Sequence, residues 1–87
     1  MDSEVDVKSR IEGALFPLIS ALVDKPDDVR IDIFVTNNST VIANISVNKD
    51  DTGKIIGKKG RHADAIRTLV KAIAASYNHR VVVEISE

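Results

Sequence analysis

Cysteine is absent from this sequence, so neither a disulfide bond nor a metal site built from thiolates is available to the chain. Aromatic side chains are almost as scarce, with two Phe, one Tyr and no Trp in 87 residues. The core must therefore be aliphatic, and a site that stacks several nucleic-acid bases on aromatic rings is disfavoured. The two histidines, His62 and His79, lie far apart without partnered carboxylates, so we predict no metal site.

Long apolar runs are also missing, and no stretch approaches the ~20 residues that a membrane span requires. The first six residues carry three acidic side chains, whereas a secretory signal begins with a basic region followed by an apolar one. Serines and carboxylates are scattered without the spacing of a nucleophile and its base. We therefore expect a cytoplasmic protein with no membrane association, no cofactor and no enzymatic activity.

A formal net charge of −1 conceals an uneven distribution of charge along the chain. Residues 1–28 hold seven acidic and three basic side chains, whereas residues 53–71 hold six basic side chains and one acidic one, Asp64. A phosphate group responds to charges within about one Debye length, roughly 8 Å at physiological salt, more than to the net charge. The sequence therefore predicts that a nucleic-acid site would lie within residues 53–71.

Apolar residues recur at helical spacing across the first quarter of the chain, which predicts an N-terminal helix. Pro17 lies inside this pattern, and an interior proline loses a backbone hydrogen bond and clashes with the preceding turn. Either the helix begins near Leu15, with residues 1–13 as a helical or disordered extension, or one helix kinks at Pro17. We expect the former, so that residues 14–87 form a single domain after the extension.

Alternation of apolar and polar residues predicts three strands, each with one buried face. The first two are joined by Asn37-Asn38-Ser39, a tight hairpin turn in which asparagine tolerates positive φ. The polar cluster Asp50-Asp51-Thr52 is predicted to cap a very short helix. The order is α-β-β-α-α-β, a two-layer α+β domain. The elements predicted after the first helix are strands at residues 29–35 and 41–47, helices at residues 53–56 and 61–77, and a strand at residues 81–85.

Gly57-Lys58-Lys59-Gly60 separates the last two predicted helices and has the chemistry of a phosphate site. Its glycines let the backbone turn sharply and let a sugar-phosphate strand approach without a Cβ in the way. The helix that follows begins with unpaired backbone N–H groups and the positive end of its dipole, both of which suit a phosphate. The two lysines and the following Arg61 add positive charge, and the preceding Ile55-Ile56 pair offers an apolar wall for bases.

Two segments around this loop resemble the K-homology (KH) motif. They are Asp51-Thr52-Gly53-Lys54-Ile55-Ile56-Gly57-Lys58-Lys59-Gly60-Arg61 and its continuation Ala65-Ile66-Arg67-Thr68-Leu69-Val70-Lys71-Ala72. In particular it resembles the small bacterial single-KH proteins of the KhpA family. The resemblance covers roughly residues 14–86 and implies a type II KH fold, with a three-stranded sheet and helices packed on one face. Residues 1–13 are longer than the usual start of the family, and Pro17 falls inside its first helix.

Resemblance to this family implies a single-stranded RNA-binding protein that holds about four nucleotides at the loop, with the bases in a groove. Such proteins are described as RNA chaperone-like, post-transcriptional regulators. They pair with themselves or with a second KH-containing protein, KhpB, and influence cell elongation and cell-wall synthesis. The RNA-binding residues predicted on this basis are Lys54, Ile55, Ile56, Gly57, Lys58, Lys59, Gly60, Arg61 and Arg67.

Several residues keep alternative interpretations. Arg67 and Lys71 either contact RNA or lie on a solvated helix face, and His62 either contacts a phosphate or is a solvated helix residue. Apolar residues on otherwise polar strand faces form either a partner surface or scattered exposed side chains; they are Phe34, Ile42 and Val82. For the whole chain, a KH-fold protein-interaction module with little RNA binding remains an alternative. A single-stranded DNA binder is another, because RNA is told from DNA by contacts to the 2′-hydroxyl, which the sequence does not display.

Overall fold

A computed structural model describes residues 3–86 of the chain and the side chains of residues 6–86. Its elements follow the predicted order α-β-β-α-α-β, with two single-turn 3-10 helices in the connections. The bounds of the main elements are Ser3–Leu22 (α1), Arg30–Val35 (β1), Thr40–Ser46 (β2), Thr52–Ile56 (α2), Arg61–Ser76 (α3) and Arg80–Ile85 (β3). Every element predicted after the first helix is confirmed, to within one residue at each end.

The three strands form one sheet in the order β1-β2-β3, with β1 antiparallel to β2 and β2 parallel to β3. A parallel pair needs a crossover connection, which α2 and α3 provide on one face of the sheet. Alternate strand residues on that face are buried: Ile33, Val41, Ala43, Ile45 and Val83. The opposite face carries most of the polar strand residues. This is the two-layer α+β arrangement expected of a type II KH fold.

The N-terminal helix differs from the expectation. α1 is continuous and holds Pro17 in its interior, so the prediction that the helix begins near Leu15 was wrong. Val7 and Ile11 are fully buried, and burial of a side chain of this size stabilises a fold by roughly 1.5–3 kcal/mol. Two such side chains offset the ~3 kcal/mol that an interior proline costs. The boundary drawn at residue 14 falls inside this helix.

The position of Pro17 on the helix also limits its cost. Pro17 is exposed, and the carbonyl that would have received its missing hydrogen bond belongs to Gly13, which is exposed as well. Water can therefore satisfy that carbonyl, whereas a buried one would remain without a partner.

The connection between β1 and β2 is the predicted hairpin, in which Thr36 N–H donates to the Thr40 carbonyl at 2.8 Å. The residue with positive φ is Ser39, at 59°, and not either asparagine. Asn38 instead receives a hydrogen bond from the Thr36 hydroxyl through its side chain. The turn was thus predicted correctly, although the physical reason given for it was wrong.

The core is aliphatic, as the composition requires, and it lies between the sheet and the three helices. Its largest fully buried apolar side chains are Val7, Ile11, Leu15, Ile19, Val41, Ile45, Ile55 and Val70. None of the helices described is long and apolar enough to cross a membrane. Within residues 3–86, the structure also brings together no group of three or more side chains that could hold a metal ion.

One charged side chain, Asp51, is buried next to this core, with 1% of its surface exposed. Its carboxylate accepts the backbone N–H groups of Asp24 and Lys25 at 3.2 and 3.0 Å, and Lys54 Nζ donates to it at 3.0 Å. Burial alone would raise the pKa of this carboxyl. The hydrogen bond from Lys54 and the two backbone N–H groups outweigh burial and hold the pKa below its ordinary value.

Asp51 occupies the N-cap position of α2, but its side chain makes no capping hydrogen bond to that helix. The predicted role of the acidic cluster as a helix cap is therefore wrong for the Asp51 carboxylate, which bonds the turn after α1 instead. Its neighbour Asp50 accepts a hydrogen bond from Lys25 Nζ at 3.0 Å in an exposed ion pair. Both carboxylates thus tie α2 to the segment that follows α1.

We predict that Asp51→Asn lowers the Tm by several degrees at neutral pH and that its difference from the wild type shrinks in acid. Because folding lowers the pKa of Asp51, the carboxylate contributes its full stability above the unfolded-state pKa of ~3.9. That contribution is lost as the pH falls through the lower folded-state pKa. Thermal unfolding followed by circular dichroism, from neutral pH to below about pH 3, measures both effects.

Asp50→Asn is the matched control, because it removes one carboxylate from an exposed ion pair and should leave the Tm almost unchanged. A Tm difference for Asp51→Asn that stays constant down to the lowest pH would contradict the prediction.

Candidate nucleic-acid interface

The loop between α2 and α3 is a single 3-10 turn with an unusual backbone. Gly57, Lys59 and Gly60 have positive φ values of 76°, 58° and 73°. The turn is closed by the Gly60 N–H, which donates to the Gly57 carbonyl at 3.1 Å. Left-handed φ is readily accessible to glycine and uncommon for lysine. The two glycines of the predicted motif are therefore placed where the backbone needs them, and Lys59 is held in a sparsely populated conformation.

α3 begins directly after this loop with an open N-terminus. Gly60 occupies the N-cap position and has no side chain that could bond the first N–H groups of the helix. The Arg61 N–H donates to the Lys58 carbonyl, and the N–H groups that follow it in the first turn, together with the positive end of the helix dipole, favour an anion. The acidic residue of the first turn, Asp64, is partly neutralised, since Arg67 Nη1 lies 3.5 Å from its carboxylate. The start of α3 is thus suited to a phosphate.

Three basic side chains, Lys58, Lys59 and Arg61, surround the start of α3 and are exposed. None of them forms an ion pair with a carboxylate of the residues that the structure describes. The structure brings these three predicted site residues together on one turn of the chain.

Lys54 lies before the loop and has different surroundings. Its ammonium group is bonded to the carboxylate of Asp24 and, at 3.0 Å, to that of Asp51. The hydrogen bond to Asp24, followed by that to Asp51, raises the pKa of Lys54 above its ordinary value. The charge of this lysine is therefore already balanced by carboxylates, in contrast to the charges of the loop lysines.

The two isoleucines before the loop are divided between the core and the surface. Ile55 is fully buried and anchors α2 in the core, whereas Ile56 is half-buried. Of the two predicted apolar residues, Ile56 is therefore the one with surface available to a ligand. The expectation that at least one of them has a plain core role is confirmed for Ile55.

A cleft of about 170 Å³ lies between α3 and the edge strand β3. Its lining combines polar and basic residues of the helix with apolar residues of the strand: Arg67, Thr68, Lys71, Val81 and Val83. Arg67 is one of the predicted site residues, and for both Arg67 and Lys71 the sequence allows either RNA contact or a solvated helix face. The structure places both at this cleft, about two and three helical turns beyond the loop.

His62 has a position that the sequence did not indicate. Its Nδ1 lies 2.7 Å from the Lys54 carbonyl, and because a carbonyl only accepts, this ring nitrogen carries the hydrogen. A Cβ built on Gly57 would lie 2.5 Å from His62 Cγ, so the side chain covers the Cα of that glycine. His62 is exposed, yet it is not merely a solvated helix residue. No pattern in the sequence marks this contact, since it depends on the left-handed backbone of Gly57.

Two further apolar surfaces are exposed, one on the sheet and one that borders the loop through His62. On the outer face of the sheet, the strand register places Phe34 beside Ile42 and Ile42 beside Val82, and Phe34 is 56% exposed. These three residues, predicted as a possible partner surface, do form a continuous row. The second surface is a groove of about 200 Å³ between α1 and α3, lined by Leu18, Leu22, His62, Ala65, Ile66 and Leu69.

Comparison with known proteins agrees with this architecture. Residues 14–85 match the model of the KhpA/KhpB KH domain. The RNA-binding protein KhpA of Chlamydia pneumoniae is 50% identical over 70 residues, which is 80% of this chain and 88% of the relative. The proteins of the same name from Clostridium perfringens and Bacillus subtilis are 48% and 41% identical, over 78% and 86% of this chain and 89% and 91% of their own lengths. This is not a family of enzymes. From the match over most of its length and the shared type II KH architecture, the chain belongs to the KhpA/KhpB KH-domain family.

Proposed function

We propose that this chain binds single-stranded RNA and holds the RNA backbone at the loop Gly57-Lys58-Lys59-Gly60. The observation that carries the proposal is the pairing of an open helix N-terminus with basic side chains that have no carboxylate partner among the described residues. Both features attract a phosphate at the same turn. Three relatives that are 41–50% identical bear the name RNA-binding protein KhpA, which supports the same proposal.

In this proposal the RNA strand runs from the loop into the cleft between α3 and β3. Phosphates lie against Lys58, Lys59, Arg61 and the first N–H groups of α3. About four nucleotides fit such a site, and their bases pack on apolar side chains of the cleft rather than on aromatic rings. Arg67 and Lys71 then border the bases or the next phosphate. Gly57, Gly60 and Ile56 shape the site, while Lys54 and Ile55 act indirectly through the position of α2.

The cellular role that we propose follows the family resemblance. An RNA chaperone-like, post-transcriptional regulator in the cytoplasm would act through weak contacts to many RNAs, which suits a small site without base-specific aromatic stacking. We further propose that the chain pairs with itself or with a KhpB-like KH protein and acts in cell elongation and cell-wall homeostasis. A second module would raise the affinity for one RNA through effective concentration.

A second candidate function is a protein-interaction module with little RNA binding. It is favoured by the two exposed apolar surfaces, the row Phe34–Ile42–Val82 and the groove beside Leu69. The basic side chains of the loop, which pair with no carboxylate in the described part of the chain, argue against it, because an interaction module needs no phosphate site. Binding of single-stranded DNA is the remaining alternative. Titration with DNA and RNA oligonucleotides of the same sequence separates these two ligands, since only RNA offers a 2′-hydroxyl.

We predict that the affinity for single-stranded RNA depends modestly on salt. If the loop neutralises two to four phosphates, log K should fall with log salt at a slope of about −1.5 to −3. Fluorescence anisotropy of a labelled oligonucleotide at several salt concentrations measures the slope. A slope near zero would mean that Lys58, Lys59 and Arg61 make no phosphate contact.

We predict that Lys58→Asp combined with Lys59→Asp abolishes RNA binding and leaves the fold intact. Both side chains are exposed, and exposed substitutions of this kind usually change stability by under ~0.5 kcal/mol each. At the site, however, two attractions for phosphate become two repulsions beside the start of α3. Titration of a labelled RNA and thermal unfolding by circular dichroism test the two halves of the prediction.

The matched control is Lys8→Asp combined with Arg10→Asp, which changes the net charge equally at exposed positions of α1. It should bind RNA almost as well as the wild type. Equal binding by the loop variant and the wild type would exclude the loop as the RNA site and favour the interaction module. Gly60→Asp is a poorer probe, because its φ of 73° strains any other residue and the loop itself could unfold.

We predict that the chain self-associates at micromolar concentrations through one of its two apolar surfaces. Sedimentation equilibrium of the wild type, Phe34→Asp and Leu69→Asp distinguishes the surfaces, because both side chains are more than half exposed and their loss should spare the fold. The variant that remains monomeric identifies the interface. A wild type that is monomeric throughout would contradict self-association without affecting the RNA proposal.

A further inference from the structure

His62 is the side chain at the loop that the proposed RNA site does not use. It lies in the first turn of α3, and its Nδ1–H donates to the carbonyl of Lys54 in α2 at 2.7 Å. This hydrogen bond joins the two helices across the loop that separates them. The Lys54 carbonyl is among the last of α2, and such carbonyls have no intrahelical partner. His62 therefore supplies a bond that the helix end needs.

The same side chain also restricts Gly57. The three atoms nearest to a Cβ built on Gly57 all belong to His62: Cγ at 2.5 Å, and Cβ and Nδ1 at 2.8 Å. Gly57 thus has two reasons to be glycine, its positive φ and the imidazole that covers it. The other glycine of the loop, Gly60, has no atom within 4 Å of the corresponding position. The contact is specific to the α2 end of the loop.

A loop of this shape needs such a restraint. Three of its four residues have positive φ, and one of them, Lys59, is not a glycine. Backbone in sparsely populated regions persists only where surrounding contacts over-determine it. The Gly60 N–H donates to the Gly57 carbonyl within the loop, and two further backbone bonds join the loop to its flanking helices, from Gly57 to the Gly53 carbonyl and from Arg61 to the Lys58 carbonyl. His62 adds a side-chain restraint from outside the loop to these backbone bonds.

We infer that His62 is a positioning residue that latches α2 to α3 and holds the loop in its RNA-binding conformation without touching the RNA. This inference rests on the proposed RNA site. A loop that is already ordered loses less conformational entropy when RNA binds, so the latch raises affinity. It differs from both earlier interpretations of His62, a direct phosphate contact and a solvated residue.

The first test compares His62→Ala with His62→Asn. Alanine removes the hydrogen bond and should weaken binding of a single-stranded RNA by about three- to tenfold, the value of one net hydrogen bond. The Asn side-chain amide places an N–H donor at the same distance from the backbone as imidazole Nδ1, without a positive charge. His62→Asn should therefore recover most of the lost affinity. Equal binding by His62→Ala and the wild type, or equal loss in both variants, would overturn the inference.

The second test needs no RNA and so separates the latch from the proposed function. Amide hydrogen exchange of Gly60, whose N–H bonds to the Gly57 carbonyl, should quicken in His62→Ala and return toward the wild-type rate in His62→Asn. Amides of the core strands should exchange as in the wild type. Unchanged exchange at Gly60 would overturn the latch. A wild type that binds no RNA, with faster Gly60 exchange in His62→Ala, would reject the proposed function and retain the latch.

The third test uses the steric overlap. Gly57→Ala should lower the Tm more in the wild-type background than in the His62→Ala background, because part of its cost is a collision with the ring. The strain of a positive φ is common to both backgrounds. Gly53→Ala is the control, since its Cβ meets nothing within 4 Å and should have the same effect in each background. Equal costs of Gly57→Ala in the two backgrounds would contradict the packing of His62 on Gly57.

Discussion

The position of the loop depends on the hydrogen bonds that the buried carboxylate of Asp51 accepts. α2 has five residues, far fewer than a helix needs to be stable alone. Its place must therefore come from tertiary contacts, which include those of Asp51 at its start, Ile55 in the core and His62 at its end. A buried charge is tolerated only when hydrogen-bonded and paired, and Asp51 satisfies both conditions through backbone N–H groups and Lys54. The loop follows α2 directly, so the contacts that hold α2 in place also position the loop.

Charge counts along the sequence overstate the charge that an RNA would meet. Six basic residues lie between positions 53 and 71, but Lys54 is occupied by two carboxylates and Arg67 lies near Asp64. Asp24, from the acidic first part of the chain, thus neutralises a lysine of the basic segment. Of these six, the basic residues that form no ion pair with a carboxylate of the described residues are Lys58, Lys59 and Arg61 at the loop, and Lys71 in α3. Contacts between distant parts of the chain therefore reduce the number of basic side chains that are available to a ligand, which the distribution of charge along the sequence does not show.

Features that depend on residues close together in the sequence could be predicted, whereas features that depend on contacts between distant residues could not. The strands and α3 were found because period-two and helical patterns are local consequences of one buried face. α1 was misjudged at its start because the cost of Pro17 is local, whereas the burial of Val7 and Ile11 that outweighs it is tertiary. The position of the loop between α2 and α3 was predicted from adjacent residues, chiefly its two glycines. The contact of His62 with Gly57 was not, because it requires the φ of that glycine and the return of α3 past the end of α2.

The part of α1 before the family match contributes to the fold at a distance from the loop. The match begins at residue 14, but Val7 and Ile11 lie earlier and are fully buried. Arg10 and Ala14 line a shared cleft with Ile73 and Tyr77, at the C-terminal end of α3. The loop lies at the other end of that helix, and 16 residues at ~1.5 Å each separate the ends by ~24 Å. The added turns of α1 can therefore stabilise the core without altering the geometry of the loop that we propose as the phosphate site.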